Sequence, residues 1–185
     1  MTTKSLRPFH TILLIVVLLS SCAAPSATPQ PSNTIPAPGG TLPNGWVEKV
    51  KDIVWVTYSP PNADPNKGLE TSLDDIRADL EVLREAGFTG LVTYDSRGVM
   101  GKDLPVIAEE AGFDGLIMRI WDPANEEELS NAKAASAFSI VLGFCVGNEG
   151  LSKRYEMPVL SFVIDNLREE TGKPVTTTEE LDDYY

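Results

Sequence analysis

Five apolar segments recur from residue 53 onward, and a helical pattern separates each from the next. The segments are 53–58, 90–94, 115–121, 139–146 and 174–178. The helical patterns fall at 72–86, 102–111, 125–137 and 158–171. The strands are nearly continuous in apolar residues, as strands buried on both sides are. In the first helix Leu73, Ile76, Leu80 and Leu83 share a face, and Ser72 stands at the N-cap position. Pro105 fits the first turn of the second helix, and Gly87, Gly112 and Gly172 close three of the four. The third helix opens on Glu126, Glu127 and Glu128, which suits the positive end of its dipole and reads as a solvated first turn. Strands alternating with helices belong to the α/β class with a parallel sheet.

Two architectures share this pattern. One is an open doubly wound sheet, which five strands can complete. The other is a (β/α)8 barrel, which needs eight units and typically ~250 residues. A spatial order 1-2-3-4-5 indicates the barrel, and 2-1-3-4-5 the flavodoxin-like sheet. No GxGxxG or GxxxxGK[ST] follows any strand, so no nucleotide-binding motif supports the open sheet.

The N-terminus reads as an address. Lys4 and Arg7 are followed by eight aliphatic residues, Ile12 to Leu19, and then by Ser20, Ser21 and Cys22. That is the layout of a secretory signal. The apolar run is too short to span a bilayer, which takes about 20 residues. Leu19-Ser20-Ser21-Cys22 resembles a bacterial lipobox, and the resemblance implies a lipidated Cys22 at the mature N-terminus. More than one acyl chain anchors stably. The expected location is the bacterial cell envelope, outside the cytoplasm, with the chain held on a membrane through Cys22. Residues 1–21 are then the lipoprotein signal peptide, 22–45 a Pro/Ser-rich tether, and 46–185 the folded domain. A Pro-rich stalk is extended and semi-rigid.

Charge and residue counts narrow the chemistry. The chain carries 27 acidic against 15 basic residues, a net charge of -12, and two of those basic residues precede Cys22. Such a chain lacks the basic footprint of a nucleic-acid binder. The one histidine, His10, lies in the leader, so the mature chain has no imidazole for a triad, a metal or acid/base catalysis. Cys22 and Cys145 are the only cysteines, and no zinc spacing is present. Cys145, in an apolar strand, reads as core.

In either architecture a site forms at the C-terminal ends of the strands. The residues there are Tyr58, Ser59 and Asn62, then Tyr94, Asp95, Ser96 and Arg97, then Trp121 and Asp122. Asn148 and Glu149 follow the fourth strand, and Thr178, Glu179 and Glu180 the fifth. Aromatics, hydroxyls and carboxylates without histidine suit a sugar. Two carboxyl groups can also run acetal chemistry. Asp95 and Asp122 read as helix-entry caps.

Val146-Gly147-Asn148-Glu149 resembles the Asn-Glu signature of the large TIM-barrel glycosidase clan. The segments 58–60, 75–80, 86–90, 93–94, 107–112, 146–149 and 172–177 occur in the same order, at similar spacing, in proteins similar to glycoside hydrolase family 17. The resemblance spans 53–185. It implies an incomplete (β/α)8 TIM barrel of about five βα units. It also implies a retaining hydrolase or transglycosylase acting on β-1,3-linked glucan. Glu149 would be the acid/base and Asn148 would bind the 2-hydroxyl. Tyr58, Tyr94, Trp121 and Glu179 would line the cleft. No metal and no organic cofactor is called for.

The departures shape the expectation. The family carries an arginine two residues before the second-strand tyrosine, where this chain has Val92. It favours an aliphatic residue after Asn-Glu, where this chain has Gly150. Its nucleophilic glutamate lies on the seventh strand, and this chain carries five. Glu179 or Glu180 is the late carboxylate on the rim; the resemblance implies that this position lines the cleft and does not attack the sugar, and the run Glu179-Glu180 with Asp182-Asp183 also reads as a solvated acidic chain end. The expectation is a truncated chain without its nucleophile, with the C-terminal part of the barrel as a missing partner. The alternatives are a non-catalytic carbohydrate-binding lipoprotein and an unrelated flavodoxin-like sheet.

Overall fold

The structure, a computed structural model, describes residues 42–64 and 67–184. The leader, Cys22 and nearly all of the tether lie outside the described residues. Eleven strands and helices follow in order: α1 (Trp46–Val50), β1 (Trp55–Tyr58), α2 (Leu73–Glu85), β2 (Gly90–Thr93), α3 (Gly98–Lys102), α4 (Leu104–Glu110), β3 (Gly115–Ile120), α5 (Glu126–Ala135), β4 (Val141–Val146), α6 (Met157–Thr171) and β5 (Val175–Thr177). A 3-10 turn, Leu181–Tyr184, ends the described chain.

All five expected strands form one parallel sheet, in the order β1-β2-β3-β4-β5. The order is not 2-1-3-4-5. Each crossover joins neighbouring strands, and right-handed crossovers in one direction put the connecting helices on one face. Burial follows that layering. Leu116, Met118 and Ile120 of β3 and Phe144 and Val146 of β4 enter the core beneath the helices. The alternate residues Ile117 and Arg119 point to the opposite face and keep part of their exposure, as do Trp55 and Val92. The register shifts once, between Leu116 and Ile117, where β4 carries an extra residue.

Local chemistry sets the helix boundaries. Ser72 accepts a hydrogen bond from the Asp75 amide at 3.1 Å and starts α2. Asn125 does the same for Glu128 at 3.1 Å and starts α5. Gly172, at φ 66, ends α6 in the left-handed conformation that costs glycine least. α1 and α3 are absent from the sequence reading, because helices of five residues are too short to show a period. α1 is held by tertiary contacts: Trp46 Nε1 donates to the Leu142 carbonyl at 2.8 Å, and Lys49 reaches the Ser139 carbonyl at 3.4 Å. It therefore packs at the start of β4, the end of the sheet opposite the candidate site. No described helix is long and apolar enough to cross a membrane.

Glycines on the open face of the sheet admit the large side chains of β1. A Cβ on Gly115 would lie 2.7 Å from Leu142 Cδ1 and 2.9 Å from both Ile53 Cδ1 and the Trp55 ring. Gly115→Val should therefore cost about 1–3 kcal/mol through overpacking, read as a lower urea midpoint at unchanged slope. An unchanged midpoint would mean that Trp55 and Ile53 can move aside freely.

Candidate functional site

Beyond β4 the chain makes a compact loop, 147–155, before α6. Three of its residues take left-handed backbone angles: Gly147 at φ 87, Glu149 at φ 50 and Ser152 at φ 61. The last two are not glycine, so each is strained by about 1 kcal/mol or more and must be held by its surroundings. One carboxylate does most of the holding. Glu179, just past β5, accepts from the Gly150 amide at 2.8 Å, the Leu151 amide at 2.9 Å, the Tyr155 hydroxyl at 2.6 Å and Thr177 Oγ1 at 3.2 Å. The Tyr155 hydroxyl in turn accepts from the Asn148 amide at 2.8 Å. The Glu149 amide donates to the Thr178 carbonyl at 2.9 Å, which continues the pairing of β4 with β5 by one step. Burial, and then the hydrogen bond to Glu179, push the Tyr155 phenol up to about 12.

Gly147 and Gly150 are required by this cage. A Cβ on Gly147 would collide with Glu179 Oε1 and would sit 2.5 Å from the Tyr155 hydroxyl. A Cβ on Gly150 would collide with the Tyr155 ring and would sit 2.7 Å from Arg154 Nη2. The departure at Gly150 thus has a physical cause: the Tyr155 ring occupies the space that an aliphatic side chain would need.

The clamp presents Asn148 and Glu149 at the rim. Glu149 is exposed, and among the described residues no hydrogen bond or ion pair engages its carboxylate. Asn148 Oδ1 accepts from Arg119 Nη1 at 2.7 Å. Guanidinium groups only donate, so this contact assigns the amide oxygen and leaves the Nδ2 donors for another acceptor. Arg119 Nη2 also reaches Thr178 Oγ1 at 3.3 Å. Where the resembled family carries an arginine on the second strand, the guanidinium here comes from β3. The Arg119 carbon Cζ lies 5.7 Å from the centre of the Tyr94 ring, which is 46% exposed. Arg154 donates to the Asn148 carbonyl at 2.5 Å and stacks over Trp121, 4.8 Å from the ring centre.

The structure therefore gathers Asn148, Glu149, Tyr94, Trp121 and Glu179 of the sequence-derived set around one loop. Glu179 takes part from behind, with its carboxylate turned toward backbone amides. Tyr58 does not join them. Strand alternation turns it to the helix-covered face, where it is 6% exposed and donates to Asp79 Oδ2 at 2.9 Å. Burial and the Asp79 carboxylate raise its phenol pKa. Cys145 is buried and forms no disulfide among the described residues, with Sγ 2.8 Å from Thr178 Oγ1. Asp95 and Asp122 accept from the Arg97 and Ala124 amides at 3.0 and 2.9 Å, as turn caps do. Among the described residues no group of three or more His, Cys, Asp or Glu could hold a metal.

Sequence reasoning missed Arg119, Arg154 and Tyr155, because none lies in a motif and each acts through a contact distant in sequence or across a loop. It also misplaced Glu128, which is 1% exposed and not solvated. Its helix position lets it reach back under the rim, where Oε2 accepts from the Trp121 amide at 2.7 Å and the Ser96 amide at 3.4 Å. Oε1 has no partner. Burial is the main reason that its carboxyl is pushed up to about 7, with Asp95 adding to the rise and the Trp121 amide opposing it.

Two measurements test these supports. Tyr155→Phe removes a donor to Glu179 and the acceptor of the Asn148 amide. It should cost about 1–3 kcal/mol in urea unfolding and speed amide exchange at Asn148 and Gly150. Unchanged exchange would show that the loop is held by other contacts. For Glu128 the folded pKa lies above the ordinary glutamate value of 4.5, so its stabilisation is complete below that value. It is lost as pH rises through about 7. The total is on the order of 3 kcal/mol. Glu128→Gln should flatten this fall and exceed the wild type in stability at pH 8. Parallel pH profiles of the two proteins would refute the assignment.

No family model, no curated protein and no solved structure matches the chain, so the geometry of this rim is the ground on which a function is argued.

Proposed function

We propose that the chain is the anchored N-terminal part of a retaining glycoside hydrolase acting on a β-1,3-glucan-type substrate. Glu149 is its proton donor and acceptor, and Asn148 Nδ2 binds the 2-hydroxyl. The observation that carries this reading is the clamped loop. Two strained residues and three hydrogen bonds from the loop to Glu179 serve to hold an exposed carboxylate and an oriented amide at the C-terminal edge of a parallel sheet. Strain of this kind concentrates at functional sites. The sheet order is that of consecutive units of a (β/α)8 barrel, and the C-terminal edge is where such barrels place their sites. Tyr94, an exposed aromatic, offers a surface for a sugar ring beside it, and Trp121 stands next to it beneath Arg154. Lipidation of Cys22 would keep the domain on a membrane in the cell envelope, away from the bilayer by the length of the tether.

Retention requires a second carboxyl about 5–5.5 Å from the first. Glu179 is engaged by four donors and is not free to attack a sugar. The resemblance places the nucleophile on a seventh strand. The same occupation of Glu179 favours a second reading, a carbohydrate-binding lipoprotein that uses this rim without catalysis.

The test is turnover of a β-1,3-glucan by the complete product of the gene, followed by the release of reducing ends. Glu149→Gln should lower turnover by about 10²–10⁴-fold, the contribution of a general acid. Equal rates in wild type and variant would sink the catalytic assignment. Saturable oligosaccharide binding without product release would select the second reading.

A further inference from the structure

Most of the described arginines are accounted for by ordinary partners. Arg77, Arg97 and Arg168 pair with Asp74, Asp95 and Asp165, and Arg84 donates to the Phe88 carbonyl and stacks on Phe113. Arg119 and Arg154 differ. They come from β3 and from the loop after β4, and they converge on one residue, Asn148. Among the described residues neither forms an ion pair, in a chain of net charge -12. The carboxylates on the neighbouring segment are engaged elsewhere: Glu179 by the loop amides and Tyr155, and Glu180 by Lys153 at 2.5 Å.

The partners that the two guanidiniums do have are neutral oxygens. Arg119 uses Nη1 and Nη2 for Asn148 and Thr178, and its buried Nε has no acceptor among the described residues. Arg154 donates once, to a carbonyl. Each guanidinium carries five N–H donors, so donors far outnumber acceptors here. Both guanidiniums also lie over aromatic rings. Arg119 sits over Tyr94 at 5.7 Å and Arg154 over Trp121 at 4.8 Å. Stacking of this kind removes side-chain freedom before any ligand arrives. Two guanidiniums that form no ion pair with any described carboxylate, the neighbouring Glu149 included, and that lie over two aromatic rings match an anionic oxygen group attached to a ring.

We propose that Arg119 and Arg154 form a subsite for an acidic substituent on a saccharide, a uronate carboxylate or a sulfate or phosphate ester. The inference rests on the carbohydrate reading of the rim and adds a charge requirement that a neutral glucan does not meet. The substituent would lie beside Asn148, so the Asn148 Nδ2 donors and the arginines would read adjacent groups of one sugar. Charge-assisted hydrogen bonds to guanidinium are the strong ones, and a planar carboxylate can take two from one arginine.

Calorimetric titration of the 185-residue chain tests this with three tetrasaccharides: a neutral β-1,3-glucan, a uronate oligomer, and a sulfated form of the first. An acidic ligand should bind at least about tenfold tighter than the neutral one, the return of one charge-assisted hydrogen bond. The advantage should shrink as salt rises from about 20 to about 200 mM. Tight binding of the uronate alone assigns the group as a carboxylate, and of the sulfated sugar alone as an ester. Arg154→Gln, at an exposed position that leaves the fold intact, should remove most of the advantage, and Arg119→Gln should do the same. Arg77→Gln, on α2, should leave it unchanged. Acidic ligands no tighter than the neutral one overturn the inference, as does an advantage that survives both substitutions. In that case binding of the neutral glucan leaves the carbohydrate reading standing, and absence of all binding removes both.

Discussion

One carboxylate joins the last strand to the loop that carries the candidate chemistry. Glu179 accepts two backbone amides, a phenol and a threonine hydroxyl, all within 3.2 Å. A carboxylate can use all of its lone-pair sites in this way. Without such a partner the left-handed Glu149 and Ser152 would relax, and the direction of the Asn148–Glu149 pair would be lost. The candidate acid/base is thus presented by a group that lies 30 residues further along the chain.

The sheet supplies the frame on which that clamp is built. Parallel strands in sequential order bring the ends of β2, β3, β4 and β5 to one edge, so Tyr94, Trp121, Asn148 and Thr178 become neighbours. The layering follows from side-chain alternation. Leucine, isoleucine and methionine on one side of β3 meet the helices, while Arg119 and Ile117 face the other way. Among the described residues β1 and β5 each pair on one side only. Such edges offer unpaired backbone groups to another strand.

Much of the architecture was legible in the sequence because it depends on local and periodic signals. Strand segments showed as apolar runs, helix starts as the Ser72 cap and the acid-rich turn after residue 125, and helix ends as glycines; the Asn125 cap showed only in the structure. The five-residue helices were illegible, since no period fits in them and α1 exists through the Trp46 and Lys49 contacts with distant carbonyls. Of the candidate site, Asn148 and Glu149 were legible as a dipeptide after a strand, and Tyr94 and Trp121 as aromatics at strand ends. Tyr58 looked equivalent to Tyr94 in position, yet strand parity sends it to the helix side. The pairing register decides the equivalence: Tyr58 pairs with Thr93, so Tyr94 lies one residue further along and on the opposite face.

The sequence by itself determined the class of the fold, the number of strands, the absence of histidine chemistry in the domain, and the residues offered to the rim. Apolar periodicity and residue counts carry that information without reference to contacts. Tertiary structure alone decided the strand order, the turning of Glu179 from the cleft to the loop, the burial of Glu128, and the meeting of Arg119 and Arg154 at Asn148. Each of these is a contact between segments 6 to 59 residues apart. A charge at such a position has no local signature. Whether it is solvated, buried or paired is set by what the fold brings against it.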